Sequence, residues 1–383
     1  MTADPLSLES ITALTADLVR IPSVNPAVAA DEDGDECAIA AFAAQWLSDR
    51  GVRAWTEDAA PGRPNVVAEV AASEGPTLVL CAHLDTVGTA GMTAPFEPRV
   101  EGDRMYGRGS YDMKGGVAAA MAVAAALAGR LSRGRLMLAL VADEEYASLG
   151  TIAFVAKHRA DACIVTEPSA LDLVLAHKGF VWAEITTVGR AAHGSRWDLG
   201  DSAISTMGRV ITALDAFDRD VLRSRTHPLV GPASMHASLV RGGVGLSTYA
   251  PECRLGIERR TLPGETTAAV VGELREVVAR VAPTARLDVT LDRPPLACDA
   301  NSALARSVRG AATRVLGAPP REVGVSFWMD AALFEAAGIT SVNFGGHGGG
   351  EHEAVEWVSL SSIVSCARVL ESAALAYLGG AAL

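Results

Sequence analysis

Histidines and carboxylates follow three short apolar segments of the sequence, where a sheet would present reactive groups. Because functional side chains collect at the carboxyl ends of strands in an open α/β sheet, these residues are candidates for one shared site. Histidine together with carboxylate suits zinc better than calcium or magnesium, which prefer oxygen ligands alone. The segments end at Cys81, before His83 and Asp85, at Val141, before Asp143, Glu144 and Glu145, and at Val165, before Glu167. The sequence therefore predicts a zinc site.

Two further candidates lie outside these segments, and no candidate is decisive by itself. Asp112 lies between glycines before an alanine-rich stretch, where an aspartate often caps a helix. His352 and His347 share a glycine-rich loop, so either can be a ligand or a surface histidine. His83 and Asp85 can belong to a solvated loop, and the adjacent acidic residues to an acidic turn. The set is far more specific than its parts, and it consists of His83, Asp112, Glu145, Glu167 and His352.

The bulk properties of the chain exclude several classes of function. Its 383 residues exceed the size at which one hydrophobic core usually keeps growing, so two domains are expected. The net charge of -12 repels phosphate backbones, which excludes nucleic acid as a partner. The start of the chain is acidic, and the most apolar stretch, Gly115 to Leu131, is short for a membrane span. We therefore expect a cytoplasmic protein without membrane contact.

Six cysteines lie far apart in the sequence and form no C-x-x-C pair. This spacing argues against both a disulfide framework and a cysteine zinc site. We expect them to be buried thiols.

The order of elements predicts an α/β fold with a mostly parallel sheet and a small inserted α+β domain. Short apolar segments alternate with helical ones up to about Lys178, which is the pattern of parallel strands with crossover helices. Alternating strands follow, and the α/β pattern returns after Asp292. The predicted domains are therefore a discontinuous catalytic domain, residues 1–178 and 293–383, and an insert, residues 179–292. The predicted strands are 65–70, 77–81, 136–141, 162–165, 180–188, 233–240, 253–259 and 340–344. The predicted helices are 8–18, 37–47, 115–131, 202–217, 301–316, 331–336 and 360–378, and that over 115–131 is expected to be buried.

In order and spacing, the motifs resemble those of the dinuclear-zinc metallopeptidase family of aminoacylase, acetylornithine deacetylase, succinyl-diaminopimelate desuccinylase and glutamate carboxypeptidase. The resemblance covers essentially the whole chain. It rests on H-L-D-T-V, G-R-G-S-Y-D-M-K-G-G, D-E-E, T-E-P, G-R-A-A-H-G, E-R-R-T-L-P-G-E and H-E-A-V-E. It implies two Zn²⁺ ions, with Co²⁺ as an alternative, and a homodimer in which the insert serves as lid and dimerisation domain. It also implies that Asp112 bridges the metals, that His83 and Glu167 complete one site, and that Glu145 and His352 complete the other.

The same resemblance assigns roles in catalysis. Glu144 corresponds to the general base, and Asp85 to the partner that holds His83. His193 matches a histidine that reaches across the dimer to stabilise the oxyanion. Arg260 matches the arginine that grips a substrate carboxylate, a role that suits its planar pair of donors.

The implied activity is hydrolysis of the amide bond in an N-acyl amino acid, as in acetylornithine and succinyl-diaminopimelate deacylases. Thr248 departs from the pattern, because many relatives have an asparagine there, and this leaves the substrate contacts open. A dipeptidase or carboxypeptidase on the same centre is one alternative. A non-hydrolytic metal-binding interaction protein is another, although a binding module has no need of a general base such as Glu144.

Overall fold

The computed structural model describes residues 4–32, 34–89 and 91–379 of the chain. Contacts between residues divide the chain into two compact units. The first unit comprises Met1–Leu175, Cys298–Val323 and Met329–Leu383, and the second comprises Ala176–Ala297 and Gly324–Trp328. The segment 324–328 thus belongs to the second unit although it lies far from the insert in sequence. The domain limits 1–178, 179–292 and 293–383 stay a prediction.

The described residues form nine α-helices. Four of them begin after a serine or threonine whose hydroxyl accepts the amide N–H three residues on, which satisfies one of the free N–H groups of the first turn. The predicted helices are confirmed, whereas α4 and α6 were not predicted. The helices are α1 (Leu8–Arg20), α2 (Cys37–Ser48), α3 (Gly115–Leu127), α4 (Leu149–Lys157), α5 (Ala203–Asp220), α6 (Thr267–Val281), α7 (Ala303–Leu316), α8 (Ala331–Ala336) and α9 (Leu360–Gly379).

The strands of the described residues include all of the predicted ones. They are β1 (Arg53–Ala60), β2 (Arg63–Ala71), β3 (Thr77–His83), β4 (Arg99–Glu101), β5 (Arg104–Tyr106), β6 (Arg135–Val141), β7 (Ala162–Val165), β8 (Leu173–His177), β9 (Gly179–Val188), β10 (Thr226–His227), β11 (Gly231–Pro232), β12 (Ser234–Gly242), β13 (Glu252–Thr261), β14 (Arg286–Arg293), β15 (Leu296–Ala297), β16 (Glu322–Val325), β17 (Thr340–Asn343), β18 (Gly348–Gly349) and β19 (Trp357–Ser359). The sequence pattern did not predict β1, β8 or β14, or the shorter strands β4, β5, β10, β11, β15, β16, β18 and β19.

The main sheet of the first unit has the strand order β1-β2-β6-β3-β7-β17-β8. Its centre is parallel, because β3 runs parallel to β6 and β7, and β17 runs parallel to β7. The predicted α/β fold with a mostly parallel sheet is thus confirmed. The expectation that 65–70 is also a parallel strand is wrong. A two-residue connection joins β1 to β2, which permits only an antiparallel hairpin, and β2 pairs antiparallel with β6 as well.

Two apolar helices form much of the core of the first unit. Eleven of the thirteen residues of α3 are buried, which explains why it is apolar on all sides. The helix ends at Leu127 rather than at the predicted Leu131, because Ala128 leaves the helical region and Gly129 has a φ of +70°. Helix α9 is long and apolar enough to cross a membrane by length and composition alone, and half of it is buried in the core.

The second unit is built on a four-stranded antiparallel sheet in the order β12-β13-β9-β14. Apolar residues of α5 and α6 pack with those of β9 and β13 in a separate core. Strand β12 is an edge of this sheet, and most of its residues are exposed.

The cysteines are all free thiols. Four are buried, but Cys37 is exposed and Cys298 is partly exposed, so the expectation that all six are buried is wrong for these two. Cys37 is the first residue of α2, where a side chain can face solvent at the helix start.

Candidate metal centre

Three neighbouring parallel strands bring the predicted residues to one edge of the main sheet. Strand β3 lies between β6 and β7, and it ends at His83 itself. In the register of the sheet His83 lies beside Val141, and Cys81 lies beside Val165. The residues that follow β6 and β7 therefore approach His83, as the spacing in the sequence predicted.

Asp112 reaches the same place from a different sheet. A small antiparallel sheet pairs β5 with β19, so the segment after β5 and the loop before β19 leave from adjacent strands. Asp112 lies in the first of these and His352 in the second. The backbone turns toward the site at Gly109, whose φ of +76° favours glycine. Helix α3 begins at Gly115 and its N-cap is Lys114, so Asp112, two residues earlier, does not serve as the N-cap.

The carboxylate of Asp112 lies between two histidines. Its Oδ1 is 3.0 Å from Nε2 of His83, and its Oδ2 is 3.4 Å from Nε2 of His352. The histidines each approach one further carboxylate, because His83 Nε2 is 3.4 Å from Glu167 Oε1 and His352 Nε2 is 3.2 Å from Glu145 Oε2. The five residues thus form two clusters that share Asp112.

The electrostatics of this centre are those of a buried site with excess negative charge. Burial raises the pKa of Glu144 and Glu167 well above the ordinary value, and neighbouring carboxylates add to both shifts. Burial also disfavours ionisation of Asp112, yet hydrogen bonds from His352 and His83 hold its pKa below the usual range. Hydrogen bonds to Asp112 and Glu145 raise the pKa of His352 to about 10. Unpaired buried charge is costly, so such a group of carboxylates needs cations.

The residues fit metal ions. Oε1 of Glu145 is buried and has no hydrogen-bond partner among the described residues, so it is an acceptor that a cation can engage. His83, Asp112 and Glu145 offer ligand atoms within 4.8 Å of one another, and so do His83, Glu144 and Glu167. Two histidines with carboxylates are a donor set that zinc accepts.

Asp85 holds both His83 and the acidic turn, but through different groups. Its backbone carbonyl accepts the hydrogen bond from Nδ1 of His83 at 2.8 Å, whereas its Oδ1 is 3.6 Å from that nitrogen. The carboxylate instead accepts the amide N–H groups of Glu144 and Glu145, each at 3.1 Å. Asp85 therefore orients the His83 ring through its backbone carbonyl and holds the turn of Glu144 and Glu145 through its carboxylate.

A buried glutamate fixes the segment of Asp112, a role that its position in the sequence does not indicate. Oε1 of Glu356 accepts the amide N–H groups of Tyr111 and Asp112, and Oε2 accepts that of Gly109. The guanidinium of Arg108 completes the cluster at 2.7 Å. Since Glu356 follows His352 in sequence, it ties the loop of one proposed ligand to the segment of another.

The structure distinguishes the two histidines of the glycine-rich loop. His347 is exposed and its ring packs edge-on against Trp357, with ring centroids 5.6 Å apart, whereas His352 contacts two carboxylates. We predict that His352→Ala lowers the bound metal from about two ions to about one per chain, because it removes a ligand of one cluster only. His347→Ala is the matched control and keeps both ions. Metal analysis after dialysis checks this, and equal losses in the two variants would refute the assignment.

The remaining predicted residues lie in the second unit. His193 and Thr248 form an isolated antiparallel bridge, and Nδ1 of His193 lies 2.9 Å from the Ser195 hydroxyl. Arg260 on β13 forms an ion pair with Glu258 at 3.0 Å and is partly exposed. Arg259 is fully buried against Glu265, so the two arginines face opposite sides of the strand as expected.

The sequence profile of peptidase family M20/M25/M40 matches residues 79–376, which is well over half of the chain. The chain belongs to this family. The matched residues include His83, Asp112, Glu145, Glu167 and His352. The predicted family membership and the predicted enzyme class are therefore confirmed, and the chain is a metal-dependent hydrolase of amide bonds.

Two similar members of the family are both named acetylornithine deacetylase. The chain is 30% identical to an acetylornithine deacetylase of Myxococcus xanthus over 341 residues, which cover 85% of this chain and 87% of the relative. It is 28% identical to an acetylornithine deacetylase of Vibrio atlanticus, with 72% of this chain and 74% of the relative covered.

Solved structures share the fold at lower identity. An aminopeptidase from Bacillus cereus superposes with a TM-score of 0.79 at 17% identity, covering 96% of this chain and 98% of that one. An M20 family metallo-carboxypeptidase from Sulfolobus solfataricus gives a TM-score of 0.79 at 18% identity, covering 96% and 99% of the two chains.

Proposed function

We propose that this enzyme is a dinuclear zinc deacylase that hydrolyses the amide bond of an N-acyl amino acid. The observation that carries the proposal is the position of the Asp112 carboxylate, whose two oxygens face two different histidines. A carboxylate in that position can bridge two ions. The two relatives named acetylornithine deacetylase support an acyl group on an amino acid as the substrate class.

In this proposal each ion has its own ligands in addition to Asp112. His83 and Glu167 hold one ion, and Glu145 and His352 hold the other, in agreement with the two pairs of short contacts. Zinc bound by these residues would lower the pKa of a water molecule and polarise the scissile carbonyl. Histidine binds metal in its neutral form, so His352 would have to give up the proton that Asp112 and Glu145 favour in order to hold zinc.

Glu144 acts as the general base. Its amide N–H is held by Asp85, and its carboxylate is not engaged in an ion pair that the described residues show. Burial and the charge of Glu167 raise its pKa, which makes it a stronger base for the proton of the attacking water. It then passes the proton to the leaving nitrogen, since one group can serve first as base and then as acid.

His193 and Arg260 bind the substrate in this proposal. His193 stabilises the oxyanion from a partner subunit, and Arg260 grips the carboxylate of the substrate. Thr248, bridged to His193 by backbone pairing, lies close enough to contribute to the same contacts. The hydroxyl of Thr248 is shorter than an asparagine amide, so it suits a different acyl group or a bridging water.

Arg260→Met is predicted to lower kcat/KM by about 10- to 100-fold, mainly through KM, because a charge-assisted bidentate contact is lost. The loss should vanish when the substrate carboxylate is replaced by a methylamide, which we expect the wild type itself to bind weakly. Arg259→Met is the comparison on the neighbouring position, and it lowers the melting temperature instead, since it leaves Glu265 without its buried partner. An Arg260→Met enzyme that still discriminates against the methylamide would refute this role.

A substrate panel tests the proposed activity. The purified enzyme, loaded with zinc, is assayed for amine release from N-acetyl, N-succinyl and N-carbamoyl amino acids and from dipeptides. We expect the highest kcat/KM for an N-acyl amino acid. Faster hydrolysis of a dipeptide would favour the peptidase alternative, and no release from any member of the panel would refute the deacylase.

We also propose a homodimer that acts in the cytoplasm. The edge strand β12 supports the dimer, because Leu239 and Val240 are 61% and 60% exposed on an unpaired edge, a surface that a second copy can cover. The six free thiols support a reducing compartment. Sedimentation equilibrium at twice the chain mass of 39.6 kDa is the expected result, and the chain mass itself would contradict the dimer.

A further inference from the structure

A buried polar network lies beneath the turn that carries Glu144 and Glu145. The turn begins at Asp143, whose φ of +69° places it in the left-handed region that a side chain disfavours. Its Oδ2 accepts the amide N–H groups of Ala147 and Leu149 at 3.2 and 3.4 Å. The carboxylate of Asp143 therefore holds the far end of the turn, while Asp85 holds the amides of Glu144 and Glu145.

Asn25 joins these two carboxylates. Its Nδ2 donates to Oδ2 of Asp85 at 2.8 Å and to Oδ1 of Asp143 at 3.1 Å. All three side chains are fully buried. The amide thus sets the spacing between the group that holds the start of the turn and the group that holds its end.

Arg63 supplies the positive charge of the network. Its Nη2 donates to Oδ1 of Asp143 at 2.8 Å, and its Nε donates to Oε2 of Glu36 at 2.7 Å. The side chains of Glu36 and Asp143 are 0% exposed, and that of Arg63 is 12% exposed. In the part of the chain that the structure describes, no other lysine or arginine forms an ion pair with Glu36 or Asp143.

The shape of the guanidinium matters for this contact. A planar fork can hold two carboxylates at once in fixed directions, whereas an ammonium is a point charge on a flexible stem. Arg63 is also the first residue of β2, a strand of the main sheet, so its backbone is anchored independently of the turn. The guanidinium therefore holds the carboxylate of Asp143 in a fixed position relative to the sheet.

We propose that Arg63 is a positioning residue that fixes the turn of Glu144 and Glu145 by clamping Asp143 against Glu36. Its hydrogen bonds go to Glu36 and Asp143, neither of which is a proposed metal ligand. Loss of the clamp leaves two buried carboxylates without a cation, so the position of Asp143 is no longer fixed and its hold on the turn weakens. A looser turn misaligns Glu144. The consequence for catalysis rests on the proposed function, whereas the consequence for the turn does not.

Hydrogen–deuterium exchange of the metal-free protein tests the clamp without any activity. In Arg63→Met we expect the amides of residues 144–149 to exchange at least about tenfold faster than in the wild type, with the rest of the first unit unchanged. Arg53→Met is the matched control, because Arg53 lies on the adjacent strand and is 74% exposed in its pair with Glu69. Unchanged exchange in the turn, or an equal increase throughout the first unit, would overturn the proposal.

Kinetics and a conservative variant add a second test. We expect kcat of Arg63→Met to fall about 10- to 100-fold with KM and metal content unchanged, the size typical of residues that support metal-site groups. Arg63→Lys keeps the charge and serves if the methionine variant does not fold. It should recover the wild-type melting temperature but only part of kcat, with turn exchange still faster than in the wild type. Full recovery of kcat and exchange by lysine would show that charge suffices and would overturn the clamp.

The two proposals fail in different ways. Local exchange in the turn together with a wild type that hydrolyses no amide would refute the deacylase and leave the clamp standing. An active wild type with unchanged turn exchange and kcat in Arg63→Met would refute the clamp alone.

Discussion

Glu144→Gln will lower kcat by about 100- to 10,000-fold while the protein keeps its full metal content. Glutamine has nearly the same shape and can retain the backbone contact to Asp85, but it cannot accept the proton of the attacking water. The substrate contacts do not change, so KM should stay within about threefold of the wild type. Steady-state kinetics with parallel metal analysis measures both quantities.

The control for this variant is Glu97→Gln, which changes an exposed glutamate on the same unit. It should match the wild type in kcat, KM and metal content. Activity of Glu144→Gln equal to this control would refute the base. Loss of metal together with activity would instead show that Glu144 is a ligand. The experiment has to separate these roles, because the Glu144 carboxylate belongs to one of the two groups that could hold a metal ion.

Asp112→Ala will remove both metals and lower kcat/KM by more than about 1,000-fold. Each oxygen of Asp112 faces a different cluster, so one substitution takes a ligand from both. Loss of the ions removes several kcal/mol of transition-state stabilisation, which corresponds to a factor of that size. We expect fewer than about 0.5 ions per chain after dialysis, in contrast to about one in His352→Ala.

Folding must be separated from metal loss in the Asp112 variant. The comparison is made with metal-free wild type, whose melting temperature the variant should match within about 5 °C, since both lack the ions. Asp17→Ala, on the exposed face of α1, is the control for removal of an aspartate. Retention of both ions in Asp112→Ala would contradict a shared ligand, whereas loss of one ion would assign Asp112 to a single cluster.

The sequence predicts the position of those residues of the centre that directly follow an apolar strand. The strands before His83, Glu145 and Glu167 are apolar runs bounded by turns, and parallel pairing brings their ends together. Asp112 follows no buried strand, so its position depends on the pairing of β5 with β19. Both strands are short, and they lie far apart in the sequence. Only the resemblance to a known family indicated its role.

The residues that hold the centre in place have no local signal. Arg63 lies 80 residues from Asp143, and Arg108 lies 248 residues from Glu356. A single arginine at the start of a strand is ordinary in sequence, and only the fold shows that its partners are buried. The sequence pattern did not predict the hairpin of β1 and β2 for a related reason. All residues of β1 are partly or fully exposed, so the strand lacks a clear apolar face.

The same limit applies to substrate contacts. The opposite directions of Arg259 and Arg260 follow from the alternation of a strand and could be predicted. Thr248 lies in the loop between β12 and β13, where neither helical nor strand periodicity constrains a side chain. Its pairing with His193 came from the structure alone.

Zinc titration of the metal-free wild type tests the central claim most directly. Amine release from the best N-acyl amino acid is followed as zinc is added, with bound zinc measured in the same samples. We expect the activity of the wild type to saturate at about two bound zinc ions per chain. We expect the Asp112→Ala variant to stay inactive and to bind almost no zinc. Full activity at one ion per chain, or zinc bound equally well by the Asp112 variant, would contradict a centre of two metals that shares this carboxylate.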